Sequence, residues 1–177
     1  RPEMLVNLTL PQSASLGAPQ ATGDKVEKIL KADPDVARWS FYVGQGAIRF
    51  YLPLDAQLAN DFFAQAVVVT KGYKVREAVK ARLEKALSVG FDDVLARVSP
   101  LELGPPVGWP VKFRVSGSDP ATTRDLAREF AGVLGSNQST RNINFDWNEP
   151  AKTIKVVVDQ DRARALGISS QQLATTI

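Results

Sequence analysis

FFAQAVVVT (62–70), YKVREAVKARLEKALS (73–88) and DVLARV (93–98) follow one another in the chain, and their reading decides the fold. The first is a short apolar run rich in valine, the pattern of a buried strand. In the second, Val75, Val79, Leu83 and Leu87 recur every fourth residue while Lys74, Lys80, Glu84 and Lys85 take the other faces, which predicts an amphipathic helix. The third is again strand-like. Toward the N-terminus, MLVNLTL (4–10) sets Met4, Val6, Leu8 and Leu10 against Leu5, Asn7 and Thr9, the alternation of a half-buried strand that Pro11 stops. Residues 13–32 turn helical toward their end, where Val26, Ile29 and Leu30 form a stripe. Asp33-Pro34-Asp35 marks a turn, and VARWSFYV (36–43) reads as a second strand.

Residues 1–98 therefore run β-α-β-β-α-β, a complete ferredoxin-like unit. Residues 99–110 (SPLELGPPVGWP) hold four prolines and two glycines and read as a linker. The order then starts again. VKFRVS (111–116) is a strand, and Asp119-Pro120 is an N-cap with proline at the first helical position. Leu126, Phe130, Val133 and Leu134 give the next helix its apolar face. RNINFDW (141–147) and TIKVVVD (153–159) are strands, and 160–177 is a helix broken near Gly167. The expected class is α+β: two ferredoxin-like subdomains, the second (111–177) lacking its last strand. That would leave 111–116 as an open edge for pairing with another chain. The chain opens on Arg1-Pro2-Glu3 and closes inside a helical pattern, so the expectation is an excised part of something larger.

Composition removes several function classes. The 177 residues contain no Cys and no His, so thiolate nucleophiles, imidazole bases and disulfides are impossible. With one Met as the sole soft ligand, zinc and copper are poorly served. The net charge of +3 is divided as +2 over 1–99 and +1 over 100–177, with no basic face to suggest nucleic acid. No apolar run reaches membrane-helix length. No catalytic residue, metal or cofactor is expected. Asp159-x-Asp161 and Asp92-Asp93 read as helix-start capping and solvated charge, because the glycine turn and distal glutamate of a calcium loop are missing. Gly44-Gln45-Gly46 lacks the Lys-Ser/Thr of a phosphate loop. The sequons at Asn7 and Asn137 are common by chance, and Asn7 lies in a predicted strand.

Residues 44–61 are the exception. Phe41, Tyr42, Ile48, Phe50 and Tyr51 flank or occupy this glycine-punctuated connection, with Gln45 and Arg49 among them. Large apolar groups on a loop must pack down as a lid or line a binding surface, since leaving them in water is costly. Both outcomes are open, and packing is the commoner.

Four stretches resemble the periplasmic porter domain of resistance-nodulation-division (RND) multidrug efflux permeases: RPEMLVNLTLPQSASL (1–16), YVGQGAIRFYLPLD (42–55), SPLELGPPVGWPVKFRVSG (99–117) and DWNEPAKTIKVVVDQDRARALGISSQQL (146–173). The resemblance covers essentially the whole chain. It implies the third βαββαβ subdomain and the start of the fourth, which in the family is interrupted by an insertion near this point. It also implies a part of a proton-driven, homotrimeric inner-membrane transporter. Such transporters pass amphiphilic compounds to a periplasmic adaptor and an outer-membrane channel.

On that resemblance, Phe41, Tyr42, Gln45, Ile48, Arg49, Phe50 and Tyr51 map onto the loop that lines the deep pocket and switches between pockets. Leu95, Arg97, Glu102 and Leu103 map onto the inlet cleft between subdomains, where Leu103 and Val107 could equally pack an interface. Arg49 departs from the Phe/Gly-rich family loop and would favour anionic or polar substrates. The single Met argues for organic substrates over the heavy-metal branch. The alternatives are a soluble tandem ferredoxin-like RNA-binding pair, which needs strand aromatics and a basic face not visible here, and a soluble ligand-binding module that dimerises through the open edge.

Overall fold

The computed structural model describes residues 1–15, 17–101, 104, 108–147 and 153–176. Four strands, β1 (Glu3–Thr9), β2 (Val36–Val43), β3 (Phe63–Thr70) and β4 (Leu95–Pro100), form one sheet in the order β2-β3-β1-β4. Every neighbouring pair is antiparallel. Helices α1 (Ala18–Ala32) and α2 (Tyr73–Leu87) link β1 to β2 and β3 to β4. This is the ferredoxin-like arrangement that the order of elements predicts.

The period-2 alternation assigns the two faces of the sheet. Met4, Val6, Leu8, Ala64, Ala66, Val68 and Val98 turn toward the helices, where Val26 and Leu30 of α1 and Val79, Leu83 and Leu87 of α2 complete the core. The four-residue spacing in α2 is what brings its last three apolar residues onto one buried stripe. α1 begins at Ala18, with Pro19 in its first turn, so it takes in more than the end of the 13–32 stretch where the sequence expects a helix. A tight turn in which the Ala14 amide donates to the Pro11 carbonyl precedes it. At the opposite end Arg82 of α2 forks onto Asp33 (2.8 Å from each carboxylate oxygen) and reaches Asp35 at 2.8 Å, binding α2 to the turn between α1 and β2.

The second part of the chain keeps the predicted order of helices. α3 (Pro120–Gly135) starts where Asp119 accepts from the Thr122 amide, with Pro120 at its first position. α4 (Gln160–Ala165) and α5 (Ser170–Thr176) straddle Gly167. Asp159 caps α4 by accepting from the amides of Asp161 and Arg162, the structural role expected of it. The three predicted strands differ from expectation. Among the described residues, 111–116, 141–147 and 153–159 join no hydrogen-bonded ladder. Their apolar side chains reach α3 only locally: Phe113 meets Phe130 edge-on at 5.2 Å, and Arg124 lies over Trp147. Ala163 is the only buried apolar residue described after Leu101, so the described residues form no closed core that would hold these segments in register.

Candidate functional site

The face of the sheet turned away from the helices is covered by irregular chain. Register sets Tyr42, Gln65, Asn7 and Arg97 in one polar row across all four strands. The adjacent row is Ser40, Val67, Leu5 and Ser99. Residues 44–61 fold over this face as a strap. Its neck is closed by the Gly46 amide donating to the Gln57 carbonyl and the Asn60 amide donating to the Gly44 carbonyl. The two glycines have separate reasons. Gly44 lies at φ +72°, where the chain turns off β2, and a Cβ on Gly46 would come within 2.8 Å of Gln57. The motif that resembles a glycine-rich loop is therefore a hinge and a close crossing of two limbs.

The strap divides its apolar residues. Leu54 is buried against Leu5 and Leu101, with Tyr51 and Val67 packed on the same cluster, and Ala47 is buried beside them in sequence. Ile48, Phe50, Leu52 and Leu58 stay outside, at 74, 45, 85 and 86% exposure. Both outcomes open to the sequence therefore occur: part of the strap is a lid and part is an uncovered apolar tip. Beneath the lid lies a small cavity of about 50 Å³ between Leu5, Asn7, Tyr51, Leu54, Gln65 and Arg97. On its far side the Arg97 guanidinium donates to the Gly108 carbonyl and sits over the Trp109 ring, tying the proline-rich segment to β4.

The predicted residues separate accordingly. Tyr42 and Arg97 belong to the polar row, with Leu95 next to Arg97 on the same face. Tyr51 is part of the lid and its ring lies 5.5 Å from Phe50. Gln45, Ile48, Arg49 and Phe50 are exposed on the strap. Phe41 is not with them. It pairs with Ala66, points to the helix side, and packs where a Cβ on Gly23 would come within 2.5 Å of its ring. Strand alternation forces this, because Phe41 and Tyr42 cannot share a face. Glu102, Leu103 and Val107 lie outside the described residues. Reading the sequence for chemistry passes over Gln65, Ala47 and Leu54, and meets Asn7 only as a discounted sequon. The available signal was Gln65, a carboxamide inside an otherwise apolar strand.

The site sets an uncovered apolar tip above a row of polar groups. Among the described residues no three His, Cys, Asp or Glu side chains gather to hold a metal ion. The carboxylates held below the ordinary aspartate range are elsewhere: Asp33, through the hydrogen bond from Arg82, and Asp119, through the hydrogen bond from Thr122. A separate open cleft of about 340 Å³ lies where Leu10 and Pro11 meet Gly90–Val94, with Lys25, Asp92 and Asp93 at its rim. No helix among the described residues is long and apolar enough to cross a membrane.

No protein-family model matches the sequence, and no curated protein does. Solved structures share the fold. One crystal form of a heavy metal efflux pump superposes with a TM-score of 0.65 at 17% identity, over 98% of this chain and 18% of the pump chain. A second form gives 0.66 at 18% identity, over 98% and 19%. The chain thus spans about a fifth of those pump chains, and at this identity the likeness is one of fold.

Proposed function

We propose that the chain is the periplasmic porter portion of a proton-driven RND multidrug efflux permease. In this reading 1–98 is the third subdomain, 99–110 a linker, and 111–177 the beginning of the fourth. It performs no covalent chemistry. It offers amphiphilic compounds the strap and the polar row beneath it, and passes them on as the subdomains hinge, with proton flux in the membrane part biasing the populations. The full-length protein would be a homotrimer working with a periplasmic adaptor and an outer-membrane channel.

The observation that carries this reading is the strap itself, pinned by Ala47 and Leu54 and presenting Ile48, Phe50, Leu52 and Leu58 to solvent. Uncovered apolar residues clustered on one loop mark an interaction surface. The likeness in fold of 98% of this chain to about a fifth of the pump chains supports assigning that surface to transport. Those pumps are described as heavy metal exporters. Organic cargo is the better reading here, because the only methionine, Met4, is fully buried on the helix side of the sheet, away from the strap.

The test is efflux in a host stripped of its own pumps, using the full-length transporter. Phe50→Ala should lower resistance to large hydrophobic drugs several-fold while membrane expression stays unchanged. Unaltered resistance across a drug panel would remove the strap from the transport path. A salt-sensitive shift of RNA would favour the tandem RNA-binding alternative instead.

A further inference from the structure

Gln65 is 2% exposed in the middle of β3, and both ends of its carboxamide are engaged. Its Oε1 accepts from the Ala47 amide at 2.7 Å, and its Nε2 donates to Asn7 Oδ1 at 2.7 Å. One bond reaches up to the strap and the other across to β1. The backbone amide can only donate, so the Gln65 oxygen must face the strap, and its nitrogen then needs an acceptor on β1. Asn7 stands opposite in register and supplies it. A buried carboxamide with both ends satisfied specifies one geometry, because shifting the strap leaves the Ala47 amide and the Gln65 oxygen without each other.

We infer that Gln65 is the positioning residue that latches the strap onto the sheet, with Asn7 fixing the orientation of its carboxamide. The latch holds Ala47 directly before the exposed tip at Ile48 and Phe50, so it sets where that tip is presented. The apolar cluster of Leu54 also holds the strap down, but burial of that kind is non-directional. The latch stands on these hydrogen bonds alone. Its consequence for ligands rests on the transport reading above.

Hydrogen exchange of the full-length protein tests it. Gln65→Leu should speed exchange at Ala47 and over 47–57 by about tenfold, the order expected for one lost hydrogen bond, while amides of β1 and β3 keep their protection. Gln65→Glu, measured at a pH that protonates the new carboxyl, should restore protection, because its C=O still accepts from Ala47 and its O–H can donate to Asn7 Oδ1 without burying a charge. Unchanged exchange at Ala47 in Gln65→Leu overturns the latch, as does failure of Gln65→Glu to restore protection while the sheet stays protected. Should Gln65→Leu not fold, Asn7→Ala replaces it, with faster exchange at Ala47 expected and an unchanged rate overturning the proposal. Export of Nile red in the same variants separates the two readings. Faster exchange at Ala47 with unchanged export keeps the latch and removes the strap from transport.

Discussion

Residues 3–100 and residues 109–176 carry the same kind of apolar alternation, and among the described residues only the first set buries it. Met4, Val6 and Leu8 are fully covered, whereas Val111, Phe113 and Val115 all remain exposed. In the first region two helices close over a hydrogen-bonded sheet. In the second, α3 holds no buried residue and touches its neighbouring segments at isolated rings. Strand-like patterning thus expresses a capacity for burial. The ladder and the covering helices realise it.

The sharpest way to break this comparison is to truncate one helix residue in each region. Leu83→Ala removes a core side chain of α2 and should cost about 2–5 kcal/mol in urea denaturation. Val133→Ala, on the exposed side of α3, should stay within about 0.5 kcal/mol. Equal costs would mean that α3 is covered in the protein as it exists, and the contrast between the regions would vanish.

A smaller effect sharpens the assignment of faces within the first region. Gly23→Ala places a Cβ against the Phe41 ring and should cost about 1–3 kcal/mol through overpacking. Phe41→Leu should relieve it, and Tyr42→Leu, on the other face, should not. Relief by Tyr42→Leu alone would put Phe41 back among the strap residues.

The smallest expected effect concerns the ion pairs between α2 and the α1–β2 turn. The hydrogen bond from Arg82 is the main reason that the Asp33 carboxyl sits below its ordinary range, with desolvation opposing it. A depressed folded pKa means that the unfolded chain takes up the proton first. This stabilisation is therefore present at neutral pH and is lost as the pH falls from about 4 through the folded value. Arg82→Met should lower stability at pH 7, flatten the acid limb of the stability profile, and match the wild type once Asp33 is protonated. An unchanged acid limb would show that the fork contributes nothing measurable, as many exposed pairs do.

Much of the first region is legible in the letters. VARWSFYV marks β2 to the residue, and the fourfold spacing of Val79, Leu83 and Leu87 announces the buried stripe of α2. Asp119-Pro120 marks the start of α3, because capping is local chemistry. The candidate site was only half legible. That residues 44–61 hold exposed apolar groups follows from composition. Which of them pack and which stay outside depends on the sheet beneath.

The order of the six elements from β1 to β4, the start of α3 and the absence of thiol or imidazole chemistry follow from the sequence alone, since each rests on neighbours a few residues apart or on residue types. Only the tertiary structure decided that Phe41 and Tyr42 serve opposite faces of a covered sheet. It alone decided that Gln65 joins a strand 58 residues away to a loop 18 residues away, and that the second set of strand-like segments forms no ladder among the described residues. Register and burial are properties of pairs distant in sequence, and no local pattern records which partner a face will meet.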